Sequence, residues 1–513
     1  MEQIHASKAV RHAEKRRIGT CQFANRVASV SLDAYKSVVP KSHGDANKQT
    51  CVAAIVAHFA NKGNHSEEGQ LRVLGLGAGT KFVSHDVISE EQNENNNSWY
   101  GKRIRDCHAE VLARRAFRRQ VALEILKDLK RKSSCESSEE AGDDDGSILE
   151  RVECKDGDMQ TNICYRMKPN VTIHFYASSA PCGNATLKKF VKMEKEVFDT
   201  SLGPDEWPHA VHKPIPAHSL RLGQFALLVK KDGSVSASQS EGVVVEPASV
   251  EEVSTQQKRP KDECNQAEVD QQPKKKKTKI WPYREDDSWC PPSCSIPNYN
   301  KGTIHSCSDK ICRWNCIGLQ GSLLMPLLEA PMYMTTLTVG RKFTRSICQR
   351  AVCCRAEGFH VSSNDKYKLN HPSLMETNVY MDESGTHQME GVKIIGEDAS
   401  FDSTLCWVWW PGKGSNEADC IDGKTGETSS CHGEAVIDTY SDVSTYALLK
   451  LHKEMLALIG DPVAVSLTDD KLSLPVLRAL KRRVSAQYES AKDVLLRHRV
   501  FREWCCRESR AKI

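Results

Sequence analysis

The chain has 513 residues, 39 % of them hydrophobic, and a formal net charge of +4. That length allows one large domain with insertions, or two or three domains, and so modest a charge excludes a chain-wide nucleic-acid surface, leaving only a local one. No stretch approaches the about 18 consecutive apolar residues of a membrane span and no apolar run follows the N-terminus, so no membrane span and no secretory leader are expected, and most of the 21 cysteines are expected as free thiols of a reducing compartment, with a few available to metal.

Residues 1–50 read as a basic N-terminal tail and the start of the domain. Met1 to Val30 is rich in Arg and Lys, which suits a frayed tail better than an organelle-targeting signal. Leu71 to Gly77 (LRVLGLG) predicts a strand ending in a turn. The stretch Gly75 to Lys81 (GLGAGTK) looks like a phosphate-binding loop, but it lacks the G-x-x-x-x-G-K-[ST] spacing. Apolar residues at helical spacing (Leu112, Ala116, Leu123, Leu126, Leu129) predict a helix over His108 to Leu129. Residues 132–148, opening KSSCESSEEAGDDDG, hold too little apolar surface to offset their ordering entropy and read as a disordered insertion. Val171 to Tyr176 (VTIHFY) alternates and is β-branched, so it predicts a strand, running through ASSAPCGNATLKKF into a turn and a helix.

Residues 234–279 form a second, longer insertion of the same kind. It carries KRPK (Lys258 to Lys261) and, after twelve residues, KKKKTK (Lys274 to Lys279). That spacing resembles a bipartite nuclear-import signal, consistent with an intracellular location in nucleus or cytoplasm. Ser322 to Met334 is apolar and partly helical, and Ser485 to Arg499 reads as a basic helix. Helices alternating with strands predict an α/β class, with residues 51–513 as one domain around the two insertions.

Two short patterns carry chemistry. Cys107-His108-Ala109-Glu110 puts His and Glu two apart at the start of a helix, and Pro181-Cys182-Gly183 follows a strand, where a thiolate gains from a helix N-terminus. In this order they match the zinc-deaminase signature, H-x-E and then P-C. A catalytic zinc needs three protein ligands and an open position for water, whose pKa it lowers toward neutrality. A carboxylate that is not a ligand then moves the protons. The usual second cysteine of P-C-x-x-C is absent, since that position is Ala185, and the local sequence does not choose among the other cysteines.

The segment GTIHSCSDKICRWNCIGLQGSLL (Gly302 to Leu324) resembles the third motif of the RNA-editing adenosine deaminases, which act on double-stranded RNA or on tRNA. With DCHAE and SSAPCG in the right order, the resemblance runs from about residue 50 to the C-terminus outside the insertions. It implies a cytidine-deaminase-like three-layer sandwich with a mixed central sheet, extended by helices. It implies Cys307 as the third zinc ligand beside His108 and Cys182, and Glu110 as the proton shuttle. It also implies a buried inositol hexakisphosphate, for which Arg114, Arg115, Lys310, Arg313, Trp314, Gln320, Arg482, Tyr488 and Lys492 stand at matching positions, with Lys424 and Arg507 less firmly anchored. Thr80 and Lys81, in the counterpart of the family's G-T-G-T-K stretch, are implied as substrate contacts. One departure stands out: where the family reads P-C-G-D, this chain has Asn184, which keeps a turn-former and removes a charge beside the site.

The double-stranded-RNA editors carry separate duplex-binding domains, for which about fifty residues leave no room. This favours tRNA as the RNA partner, with no membrane and no obligate protein partner. The tRNA branch of the family deaminates the adenosine just 3′ of the anticodon of tRNA-Ala, at position 37, and an unpaired anticodon-loop base needs little extrusion. Editing of mRNA or other structured RNA is the rival within the enzyme class, and an inactive RNA-binding pseudo-deaminase the rival outside it.

Overall fold

The computed structural model describes residues 22–39, 50–61, 69–83, 87, 101–133, 146–153, 163–186, 305–362, 366–379, 405–414, 416–429, 440–461, 474–498 and 500–501. At its centre is a seven-stranded sheet in the order β11-β10-β2-β1-β7-β8-β9. These strands are β1 (Val52–Phe59), β2 (Gln70–Ala78), β7 (Val171–Ser179), β8 (Thr336–Arg341), β9 (Ser373–Glu376), β10 (Leu405–Trp409) and β11 (Asp419–Asp422). β1 pairs antiparallel with β2 and β7, whereas β7, β8 and β9 run parallel. The sheet is therefore mixed, as the resemblance implies. Two short ribbons lie outside it: β3 (Thr80–Phe82) with β4 (Asp106–His108), and β5 (Leu149–Glu153) with β6 (Ile163–Met167).

Alternation along β1 builds the layers, because successive side chains of a strand leave opposite faces. Ala53, Ile55 and Ala57 face a core shared with α2 (Ala109–Ser133), α3 (Cys307–Ile317) and α4 (Arg345–Val352). Val52, Ala54 and Val56 face helix α1 (residues 22–38), through Phe23, Val27, Ala28 and Leu32. Helices thus cover both faces of the sheet in a three-layer α/β/α arrangement. Further helices among the described residues are α5 (Thr445–Leu458), α6 (Leu474–Val484) and α7 (Ala486–Arg497).

Within the stretch expected to hold a tail and the start of the domain, 22–38 forms α1, a layer of the fold that reaches into the part of Met1 to Val30 expected to fray. The helix expected from His108 begins at Ala109, because His108 still belongs to β4. The first insertion is narrower than 132–148. Lys132 and Ser133 finish α2, and Ile148 is fully buried. The second insertion, its basic run and the residues after Thr186 expected to be helical lie outside the described residues. Ser322 to Met334 contains one 3₁₀ turn, Met325–Leu327, its proline fitting the first turn and its buried side chains filling the core without a helix.

The glycines of the Gly75 to Gly79 stretch serve packing. A Cβ at Gly75 would stand 2.4 Å from the Phe117 nitrogen, and one at Gly77 would stand 2.3 Å from the Ala109 oxygen. Only glycine lets the α2 backbone lie this close to β2. Among the described residues no helix is long and apolar enough to cross a membrane.

Candidate active site

His108 ends β4, directly opposite Thr80 of β3, and α2 begins at the next residue, so Glu110 sits in the helix's first turn. Residues two apart on a strand share a face, which brings Asp106 to the His108 ring. Asp106 Oδ1 accepts the His108 backbone N–H at 3.1 Å and lies 2.7 Å from ring Nδ1. With Nδ1 so engaged, Nε2 is left for a metal, the usual carboxylate–histidine arrangement of zinc proteins. The second Asp106 oxygen accepts the Lys310 ammonium. Burial alone would raise the Asp106 carboxyl, but Lys310 and His108 outweigh it and hold it well below the usual carboxylate range.

Cys182 and Cys307 meet at the start of α3. Ser306 caps that helix: its hydroxyl accepts the Asp309 N–H and donates to Asp309 Oδ2 at 2.7 Å, a variant of the capping box. The first helical residue is Cys307, whose N–H donates to the Cys182 sulfur at 3.3 Å. Cys182 thus meets the N-terminus of α3, and among the described residues its own segment continues into the 3₁₀ turn Asn184–Thr186. The Cys307 S–H points at Cys182 and lowers that thiol to about 7, while burial raises Cys307. Gly183, at φ +97°, lets the chain turn here; a Cβ would stand 2.2 Å from the Ser306 hydroxyl.

One donor atom each from His108, Cys182 and Cys307 lies within 4.8 Å of the others. An imidazole held by a carboxylate and two thiols near a helix N-terminus suit a three-ligand zinc. Glu110 is 7 % exposed, and among the described residues no ion pair or side-chain hydrogen bond engages its carboxylate. The Thr80 hydroxyl is buried with no partner among the described residues, a polar group left for a bound molecule. Lys81 lies beside Gly423, and the Phe82 ring stacks on His108 at 6.0 Å.

A network that the sequence did not announce supports the two cysteines. Fully buried Asp309 pairs with fully buried Arg355 at 2.6 Å. Asn184 donates to Asp309 at 3.3 Å and receives Arg350 on its side-chain and main-chain oxygens, at 3.4 and 3.3 Å. The uncharged Asn184 therefore stands between a carboxylate and an arginine as donor to one and acceptor for the other.

Behind the site, cations crowd between helices. Arg114, Arg115 and Arg118 project from α2. Arg114 lies 5.0 Å over the Trp314 ring, Arg115 donates to the Val443 oxygen, and Arg118 donates to the Gln320 oxygen. Burial first, then neighbouring cations, lower Arg114 to about 9 and Arg118 to about 10. Arg313, Tyr488, Lys481 and Lys492 face the same group, and burial with Arg118 lowers Lys481 to about 7. His452 is buried nearby, and neither ring nitrogen has a partner among the described residues.

Several implied ligands of this cluster are placed otherwise. The Lys310 ammonium turns to Asp106. The Gln320 amide is engaged by the Ile317 oxygen, the Met325 sulfur and the Met332 N–H. Arg482 is exposed, because one residue along a helix turns a side chain by about 100°; Lys481 takes its place. Lys424 is exposed in the turn after β11, next to the glycine beside Lys81. Arg507 lies outside the described residues. Of the residues the sequence reading missed, Asp106 was accessible from strand alternation, Arg118 from its four-residue spacing to Arg114, and Lys481 only from the helix phase.

Comparison with known proteins places this architecture. The Adenosine-deaminase (editase) domain family matches residues 75–508. The mouse double-stranded RNA-specific adenosine deaminase is 26 % identical over 60 % of this chain and 19 % of its own length. The rat double-stranded RNA-specific editase B2 is 25 % identical over 80 % and 41 %, and the mouse tRNA-specific adenosine deaminase 1 is 22 % identical over 65 % and 68 %. The match thus spans less than half of either double-stranded-RNA enzyme. The family match covers all three motifs and the helices behind them, and the chain belongs to the adenosine-deaminase (editase) domain family.

Proposed function

We propose that the protein is a zinc-dependent hydrolytic deaminase converting adenosine to inosine in RNA. The convergence of His108, Cys182 and Cys307 beside the unengaged Glu110 carries this reading. Bound there, zinc supplies Lewis acidity that brings the pKa of a water near neutrality. Asp106 fixes the imidazole tautomer and orientation. Glu110 takes the proton of the attacking water and passes protons to the purine ring nitrogen and the departing ammonia. Thr80 and Lys81 contact the nucleoside or its backbone.

The substrate we infer is tRNA, at position 37 of tRNA-Ala. What supports it is proportion: the match takes in 68 % of the mouse tRNA enzyme but 19 % of the mouse double-stranded-RNA enzyme. The slightly higher identities with the latter group, 26 % and 25 %, favour structured RNA as the second reading. Incubation with unmodified tRNA-Ala transcript and, in parallel, a long RNA duplex, followed by inosine mapping, separates the two. Inosine next to the anticodon is the expected product; inosine confined to the duplex would overturn the tRNA assignment. The basic run at 258–279 we assign to nuclear import, testable by fusing it to a reporter.

The cations of α2, α3, α6 and α7, with Tyr488, we assign to an internal polyanion, inositol hexakisphosphate, held by Arg114, Arg115, Arg118, Arg313, Lys481, Tyr488 and Lys492. Recessed cations repel one another without a counter-charge, and the unpartnered His452 nitrogens suit added acceptors and donors. Arg114→Ala with Arg115→Ala is expected to lower Tm by roughly 10 °C, from the loss of charge-assisted hydrogen bonds worth about 1.5–3 kcal/mol each. Without an anion, the same change relieves repulsion and Tm holds or rises in a thermal melt.

Lys481 gives a pH signature. It faces Arg118 of α2, Arg313 of α3, and Glu489 and Lys492 of α7, and sits at about 7 in the free protein. A polyanion raises it, so binding takes up a proton. Affinity is then fullest below pH 7 and declines as pH rises through 7 toward the bound value. Calorimetry at pH 8 in buffers of different ionisation enthalpy is expected to show net proton uptake; none would remove Lys481 from the ligand set.

A further inference from the structure

Among the described residues, two groups of three metal-capable side chains converge. One is the site above; the other is Cys353, Cys354 and His371, whose donor atoms also lie within 4.8 Å of one another. Cys353 directly follows α4, Cys354 opens the 3₁₀ turn Cys354–Ala356, and His371 lies two residues before β9. None belongs to the three deaminase motifs.

We propose that Cys353, Cys354 and His371 form a second zinc site, at the C-terminal end of α4. The spacing fits the ion. Two thiolates about 2.3 Å from a tetrahedral zinc stand about 3.8 Å apart, and a thiolate and an imidazole nitrogen about 3.6 Å. The two sulfurs here are 3.6 Å apart, and Cys354 Sγ is 3.7 Å from His371 Nδ1. Two sulfurs and an imidazole form a soft donor set, which selects zinc over magnesium or calcium.

The chain on both sides of the site is tied into the fold. Cys353 is buried, and its thiol donates to the Gln349 oxygen at 3.1 Å. Next to His371, Asn370 is tied to Asn315 of α3 by a backbone bond of 2.7 Å and a side-chain bond of 3.0 Å. His371 is exposed, so the site opens to solvent and an ion could reach it.

The site's place gives it a purpose. α4 carries Arg350 to Asn184, two residues past Cys182, and Arg355 follows Cys354 and holds Asp309. An ion joining Cys353 and Cys354 to His371 pins the segment on which both arginines stand, and so steadies the cysteine side of the first site from outside it.

The test is the zinc count of the full chain, purified with a phosphine reductant, dialysed against metal-free buffer and measured by plasma mass spectrometry. Two zinc ions per chain are expected, falling to one in His371→Ala and in Cys354→Ser. In His371→Cys, which restores a third soft donor at an exposed position, the count returns to two. Cys182→Ser is expected to lose the other ion. A count that is the same in wild type, His371→Ala and Cys354→Ser overturns the second site, whatever Cys182→Ser does to the first.

Discussion

Glu110→Gln is expected to cut turnover by about 10²–10⁴-fold, the range for loss of a general acid–base group, while zinc content and Tm stay at wild-type values. The reason is local. Glu110 is 7 % exposed, stands two residues beyond His108, and among the described residues its carboxylate is held by no ion pair or side-chain hydrogen bond. Gln keeps its volume and its place in the first turn of α2 but cannot carry a proton. Single-turnover kinetics on the RNA substrate, beside a zinc assay and a thermal melt, make the check. Full activity in the variant would remove the proton-shuttle role. Loss of zinc would make Glu110 a ligand instead.

Asp309→Asn is expected to destabilise the domain by about 3–5 kcal/mol, since removing one partner of a buried ion pair leaves a buried charge uncompensated. Asp309 and Arg355 are both fully buried, and Arg350 lies in the same network. Asp309 also bonds the cap residue of α3, so the change loosens the turn that carries Cys307. A Tm lower by on the order of 10 °C and weaker zinc retention should appear together. Asp309→Leu combined with Arg355→Met should recover much of the stability, because an apolar pair does not carry the desolvation penalty. If the double variant is no better than Asp309→Asn, the defect lies in the cap and not in the charge.

The α/β class was legible because β7 alternates and α2 carries apolar residues at helical spacing, whereas the mixed sheet was expected from the family resemblance alone. α1 was not legible: Phe23, Val27 and Leu32 follow a basic N-terminal stretch, and their stripe acquires meaning only against the far face of β1. At the site, His108, Cys182 and Cys307 were legible from motif chemistry and resemblance, and the structure brings them together. Asp309, Arg350 and Arg355 were not, since buried charges look like surface charges until their partners are known. The same limit explains the exchange of Arg482 for Lys481, where a small difference in helix phase decides which cation faces inward, and the turning of Lys310 to Asp106, the acid nearest its ammonium in space though 204 positions away in sequence.

The hydrogen bond from the Cys307 backbone to the Cys182 sulfur joins residues 125 apart in sequence. Closing so long a loop is costly once, but each further doubling of its length adds only about 0.6 kcal/mol. The stretch between these cysteines can therefore lengthen or shorten at little cost while the two thiols keep their geometry. It also sets an order of events during biosynthesis: long-range contacts form late, and this one needs β7 in the sheet and α3 docked beside it. If the proposed zinc binds there, a chain that retains it has completed this long-range assembly, and its metal content would report folding.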